Sequence, residues 1–294
     1  MHIIKYTKPA VFWHEALPLG NGLTGVMVYG SLKREQFCFN DGTLWSGYPK
    51  DYNSKESLDN LNRVRNLIFV GENAEADALC EEKLTGFYSE SFMPLGKVVL
   101  KFGGICKSGY SRTLDLSNAL HSVKTKGCTA ETFCSYPDKI TVYRIKAEKP
   151  FSVRIKAKSK LKSDVYTEEN NLFLMGNAPD YAAPSYLKKE SNSIDYSGKK
   201  GMAFCLQTQV QTDGSMRRNK NNITVKKATE MTLYFVSATG FNGFDKMPET
   251  DRSKAKQKCE AVLNRVDKDY EFLKKRHIDD FSSLYNNQSI SKCN

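Results

Sequence analysis

The chain has 294 residues, of which 40% are hydrophobic, 26% charged and 11% aromatic, with a mean hydropathy of -0.52. This is the composition of a globular protein with a sizeable core in one large domain or two modest ones. It excludes disordered and collagen-like classes, and no apolar run approaches the roughly 20 residues of a membrane helix. The 44 Lys and Arg against 33 Asp and Glu leave a net charge of +11. The basic residues come in short, dispersed groups (Lys156 to Lys162, Arg217 to Lys220, Lys274 to Arg276) without aromatic interleaving, so they predict a solvated lysine-rich surface, with neither nucleic acid nor a membrane as partner.

The opening residues, MHIIKYTKPAVFW, lack the charged start, long apolar stretch and small-residue cleavage site of a secretory signal, which makes a cytoplasmic location the expectation. Eight cysteines are spread from Cys38 to Cys293 with no CxxC pair, and the four histidines are equally dispersed. Reduced thiols and no metal site follow from that spacing.

In chain order, the first local signal is Glu15 to Gly22, EALPLGNG, a tight loop before a strand. Its Asn21 either holds the turn or offers its amide to sugar hydroxyls. Strands follow at Thr24 to Tyr29 and Gln36 to Asn40, and then Asn40 to Gly47, NDGTLWSG, sets Trp45 in a glycine-bounded loop. A tryptophan there either pins the loop from the core or stacks on the apolar face of a sugar ring. Leu58, Leu61, Val64, Leu67 and Ile68 recur at helical spacing, and a second short helix is expected from Ala74 to Leu84. Period-two alternation then predicts strands at Lys97 to Phe102, Leu120 to Lys124, Thr129 to Ser135, Ile140 to Ala147, Phe151 to Lys158, Leu172 to Met175, Met202 to Val210, Ile223 to Lys226 and Met231 to Ala238. Ser185 to Lys200 reads as a long surface loop. Near the end, Ala255, Cys259, Val262, Leu263, Val266, Tyr270 and Leu273 make one apolar stripe on a helix from about Thr250 to Arg276.

About eleven strands with no helix between most of them predict a mainly β fold, a large antiparallel β super-sandwich with a small helical insertion and a C-terminal linker helix. No GxSxG elbow, HExxH motif or phosphate-binding loop appears, and no pair of carboxylates stands at a spacing that identifies an acid and a base.

The order of the motifs is more specific than any one of them. Trp13, LPLGNG (Leu17 to Gly22), NDGTLWSG, the Leu58 to Ile68 helix, Met93 to Gly96, YSRTLDL (Tyr110 to Leu116), FCSYPD (Phe133 to Asp138), Asn177 to Tyr181, the strand ending in Ala238, Thr239 and Phe241, and His277 to Tyr285 together resemble the N-terminal region of glycoside hydrolase family 95, the inverting α-L-fucosidases with some α-L-galactosidases. Asp41 stands where that family commonly has glutamate, and after Tyr285 the pattern decays into NNQSISKCN. The resemblance implies an N-terminal sandwich at 1–245, then a helical linker and the start of an (α/α)6 catalytic barrel at 246–294. It implies no catalytic residue in this chain and no metal or organic cofactor. The expected partners are the barrel of the same protein and a fucosylated glycan, with homodimerisation through the C-terminal helix as a further possibility. Asn21, Asn40 and Trp45 are the expected substrate-rim residues. The rival expectation is a stand-alone carbohydrate-binding sandwich.

Overall fold

The computed structural model describes residues 2–86, 89–184 and 193–287. Its strands are β1 (Ile3–Tyr6), β2 (Leu17–Gly20), β3 (Thr24–Val28), β4 (Arg34–Asp41), β5 (Gly96–Gly103), β6 (Ser111–Asp115), β7 (Leu120–Thr125), β8 (Cys128–Ser135), β9 (Ile140–Lys158), β10 (Ser163–Glu168), β11 (Asn171–Asn177), β12 (Tyr181–Ala182), β13 (Ile194–Asp195), β14 (Ala203–Thr212), β15 (Ser215–Asn219) and β16 (Asn222–Thr239). Helices α1 (Ser57–Phe69) and α2 (Asn73–Leu79), the latter running on into a π-helical turn at Cys80–Leu84, form the insertion between β4 and β5. Helices α3 (Arg252–Arg265) and α4 (Tyr270–Tyr285) close the described chain. No helix among the described residues is long and apolar enough to cross a membrane.

Fourteen strands belong to one continuous antiparallel sheet that curls on itself, and β12 pairs with β13 alone. Two strands of 19 and 18 residues, β9 and β16, run side by side through both layers. The second half of β9 and the first half of β16 belong to a front layer with the order β2-β3-β4-β5-β9-β16-β15. Their other halves sit in a back layer, β1-β6-β7-β8-β9-β16-β14-β11-β10. The change of layer occurs where the register slips between Val225 and Glu230 opposite Lys146 to Phe151. Pro150 removes a backbone donor there and Lys227 adopts a left-handed φ of 56°, the local signature of a bulge that bends a strand. The sequence predicts two strands on either side of each bend. The chain instead carries each pair through as one.

The alternation fills the space between the layers. Phe37 of β4 packs with ring centroids 5.1 Å from Tyr143 of β9 and 5.2 Å from Phe235 of β16. Val26, Val28, Val98, Leu100, Val153 and Ile155 of the front layer join the same cluster.

The outer face of the back layer is also apolar, and it is covered. Phe133, Val142, Phe173, Cys205 and Val236 lie under Ala255, Cys259 and Leu263 of α3 and Tyr270 and Leu273 of α4. The C-terminal stripe is therefore buried against the chain's own sheet, each large side chain adding roughly 1.5–3 kcal/mol. The single linker helix expected from the stripe is corrected to two. Asp251 accepts from the Ser253 amide to cap α3, Val266 is extended, and Asp269 accepts from the Phe272 amide to start α4. Of the predicted loop at Ser185 to Lys200, residues 185–192 lie outside the described residues and Ile194–Asp195 forms β13. Of the NNQSISKCN segment after Tyr285, residues 288–294 also lie outside them.

Helix α4 is latched to the back layer by polar contacts. Glu131 on β8 accepts from the Tyr270 hydroxyl at 2.6 Å and from Lys274 at 2.8 Å. Against the upward push of burial, those two donors hold its carboxyl below the usual range. His277 stacks 5.0 Å from Phe133 and its Nε2–H donates to the Asn118 carbonyl at 3.0 Å. Carbonyls only accept, so this nitrogen carries the proton. Replacing His277 with Ala removes a ring and a buried donor, and urea denaturation should show a loss of about 2 kcal/mol. A loss within error of zero would mean α4 is not part of the cooperative fold.

A buried carboxyl inside the sandwich gives the fold a pH dependence. Glu35 on β4 is 1% exposed, and its Oε1 accepts from the amides of Gly30 and Gln36 at 2.8 and 2.9 Å. Burial outweighs those bonds and pushes it up to about 7. His121 nearby, 1% exposed, is pushed down to about 3 by burial and by the charge of Arg112. The Glu35 contribution is fully present below the ordinary carboxylate value and is lost as pH rises through about 7. His121 acts oppositely, its contribution falling away as pH drops from the ordinary imidazole value toward about 3. Relative to wild type, Glu35→Gln should therefore gain on the order of 3 kcal/mol between pH 4.5 and pH 8.5 in paired denaturation curves. A difference that does not change with pH would contradict the buried-acid assignment.

Candidate functional site

The loops after β2 and β4 lie together at one end of the sandwich. The Gly42 amide donates to the Leu23 carbonyl at 2.8 Å, and Thr24 is in register with Asp41. Asp41 is 1% exposed. Its Oδ1 accepts from the Thr43 amide and hydroxyl at 3.0 and 2.7 Å, and its Oδ2 accepts from the Ser237 hydroxyl at 2.7 Å. Ser237 also meets Thr24 at 2.8 Å, and Thr43 meets Thr239 at 2.6 Å. This buried chain of oxygens ties both loops to the end of β16. It is a positioning device.

The three expected rim residues separate. Asn21 is 7% exposed; its side-chain oxygen accepts from the amides of Leu23 and Thr24, and its amide donates to the Ser135 carbonyl. With both ends engaged it holds the turn, in which Gly22 takes a φ of 81°. Asn40 is exposed on β4, but strand alternation turns it to the opposite side of the sheet from Asp41, where it lines a cleft with Trp13. Only Trp45 faces the loop cleft.

Trp45 is 44% exposed. Its indole N–H donates to the Gly42 carbonyl at 3.2 Å, and its ring meets Phe92 edge-on at 5.5 Å. The cleft it borders has a volume of about 460 Å³ and is walled by Tyr48, Tyr52, Phe241 and Phe244. Glu90 supplies its carboxylate, accepting from Ser46 Oγ and Lys50 Nζ at 2.8 Å each and from the Tyr52 hydroxyl at 3.2 Å. Burial and the adjacent Glu90 charge push the Tyr52 phenol up. Lys50 Nζ lies 4.6 Å from the centre of the Tyr48 ring. Gly47, with a φ of 75°, belongs here because a Cβ would collide with the Glu90 carboxyl.

This arrangement can bind a sugar. Aromatic faces receive the apolar C–H side of a pyranose, and Glu90, Ser46 and the lysines offer acceptors and donors to its hydroxyls. Among the described residues Glu90 is the one acid lining the cleft, and three donors already engage it. Sequence reasoning reached Trp45 through its glycine-bounded loop. It missed Glu90 and Phe92, which carry no local pattern, and met Phe241 only as the end of a strand motif, with no role in a cleft.

Residues 4–243 match the family model described as glycosyl hydrolase family 65, N-terminal domain. Alpha-L-fucosidase 2 of Arabidopsis thaliana is 30% identical over 305 residues, covering 98% of this chain and 36% of the relative. The proteins named probable alpha-fucosidase A of Aspergillus oryzae and Aspergillus niger are 25% and 27% identical, over 95% and 94% of this chain and 40% and 35% of their own lengths. A solved chain named for kojibiose phosphorylase, from the human microbiome, aligns over 91% of this chain and 32% of its own at 14% identity and a TM-score of 0.41, a likeness too slight to bear on function. The chain spans little more than a third of the length of the curated relatives it matches. The family match runs from β1 past the end of β16 and so takes in both layers of the curled sheet: this chain belongs to the glycosyl hydrolase family 65 N-terminal domain family.

Proposed function

We propose that this chain is the non-catalytic N-terminal sandwich of a glycosidase of the family 95 type, which in complete form removes terminal α-linked L-fucose, or L-galactose, from glycans with inversion. The observation that carries the reading is the pairing of an aromatic, sugar-sized cleft at Trp45 with, among the described residues, one carboxylate that three donors engage. Inversion needs two carboxyl groups about 6.5–9.5 Å apart, one protonating the leaving oxygen and one activating water. In this reading both come from an (α/α)6 barrel of the same protein, and the sandwich holds part of the glycan. The fucosidase names of the relatives and the order of the sequence motifs support the substrate class.

The chain has two tryptophans, Trp13 and Trp45, so their indole N–H signals can be assigned with one variant each. Titration with a 2'-fucosylated oligosaccharide should move the Trp45 signal and leave Trp13 in place. Trp45→Ala should weaken binding about tenfold, the equivalent of about 1.4 kcal/mol. No fucose should be released by the purified chain. Release that copurifies with it, or binding that leaves the Trp45 signal unmoved, would sink this reading.

A further inference from the structure

The two outer faces of the sandwich differ. The back layer's outer face is apolar and lies beneath α3 and α4. On the front layer the outward positions of β4, β5 and β9 include six cations, Arg34, Lys97, Lys101, Arg154, Lys156 and Lys158, beside the uncharged Gln36, Cys38, Asn40, Val99 and Ser152, and the only carboxylate within the β4 run before Asp41, Glu35, points inward. Strand register sets these cations directly opposite one another: Arg34 against Lys101, Lys101 against Arg154, and Lys97 against Lys158. Neighbouring strands lie about 4.8 Å apart and same-face residues about 7 Å apart along a strand, so the charges form a close grid. Like charges placed opposite each other in a sheet are destabilising. Among the described residues, no carboxylate lies within 4.0 Å of any of these cations.

The grid has a built end. A cleft of about 420 Å³ is lined by Trp13, Asn40, Lys97, Lys158, Ser159 and Lys160, with no acid among its walls. A second hollow of about 180 Å³, lined by Arg34, Lys101, Arg154 and Lys156, shares Lys158 with it. Trp13 is 60% exposed, and the backbone of the turn that carries it is fixed from behind. It opens a short 3-10 turn whose Glu15 accepts from the amides of Val11 and Phe12. Arg112, 2% exposed, grips the same strap by donating to the carbonyls of Lys8 and Glu15 at 3.0 and 2.9 Å. An exposed indole on a firmly held turn, beside three lysines, an amide and a hydroxyl, is a platform for an anionic sugar ring.

We infer that the outer face of the front layer binds a sulfated or otherwise polyanionic polysaccharide, with one sugar stacked on Trp13 and the chain's anions running along the β4–β5–β9 cation grid. Charge complementarity carries the choice of a polyanion. The aromatic stands at the end of the grid in a sugar-sized cleft, whereas a single-strand nucleic-acid platform puts aromatics beneath successive bases. The centre of this grid is Val99 and lysine stems. Only the preference for a saccharide over a nucleic acid rests on the proposed glycan function. The face shares no lining residue with the Trp45 cleft, so the two fail independently.

The test uses a heparin-derived tetrasaccharide, an unsulfated tetrasaccharide and a single-stranded oligonucleotide of matched charge, each titrated into the full chain in about 0.15 M salt. The sulfated sugar should bind, shift the Trp13 indole and leave Trp45 in place, with affinity falling steeply as salt rises. The double variant K101Q/R154Q should lose tenfold or more, and its melting temperature should hold or rise because a like-charge pair has been relieved. Removing two exposed cations of α3 in K254Q/R265Q should change affinity less than twofold. W13A should weaken the sulfated sugar about fivefold without affecting the oligonucleotide. Equal losses in the two double variants would reduce the effect to net charge and overturn the inference, as would equal or tighter oligonucleotide binding or the absence of binding by the sulfated sugar.

Discussion

The bend shared by β9 and β16 is the constraint on which the rest depends. Each strand pays into both layers, and the two pair with each other on either side of a register slip at Val225 to Glu230. A one-residue shift in either strand would turn every side chain of a half-strand to the wrong face. Along β9 one unbroken alternation points Ile155, Val153 and Phe151 inward in one layer and Tyr143 and Ile145 in the other, while β16 takes up the slip between Val225, Ala228 and Met231. It also brings Ser237 and Thr239, at the far end of β16, to the loops after β2 and β4. The Trp45 cleft is thereby held by the strand that organises the core.

The polar motif residues serve this geometry. Asn21 holds a turn and reaches the Ser135 carbonyl, Arg112 grips the strap that presents Trp13, Asn177 takes Arg252 at 2.6 Å where α3 begins, and His277 seats α4 on the β6–β7 turn. These motif side chains are thus engaged, mostly by backbone groups, at the joints of the fold. What remains free to meet a ligand is aromatic or cationic: Trp45 with its neighbours in one cleft, Trp13 with the front-layer lysines in another.

Much of the architecture was legible in the sequence because period-two alternation is a direct image of a half-buried strand. Phe151 to Lys158 is the clearest instance, and it sits where expected. The alternation could not show that Pro150 and Lys227 are bends inside single strands, since both read equally well as turn residues between two. Strand β1 is exposed along its whole length and β15 likewise, so neither has an apolar phase to detect. The apolar stripe of α3 and α4 has one phase, which hid the break after Arg265 that the paired aspartate caps create. For the site, the glycine-bounded loop pointed to Trp45. Which of Asn40 and Asp41 is buried against the loops is decided by a strand phase that extends one residue past the predicted end of β4. Glu90 is brought to the cleft by tertiary packing alone.

The account's central claim is that this sandwich contacts a glycan at Trp45 while the bond-breaking groups lie elsewhere. A crystal structure of the chain soaked with a fucosylated oligosaccharide tests it most directly. The account predicts one pyranose ring stacked on the exposed face of Trp45, with hydroxyls within hydrogen-bond distance of Glu90 or Ser46 and the glycosidic bond intact. A sugar seated away from that cleft, or one found cleaved within it, would contradict the account.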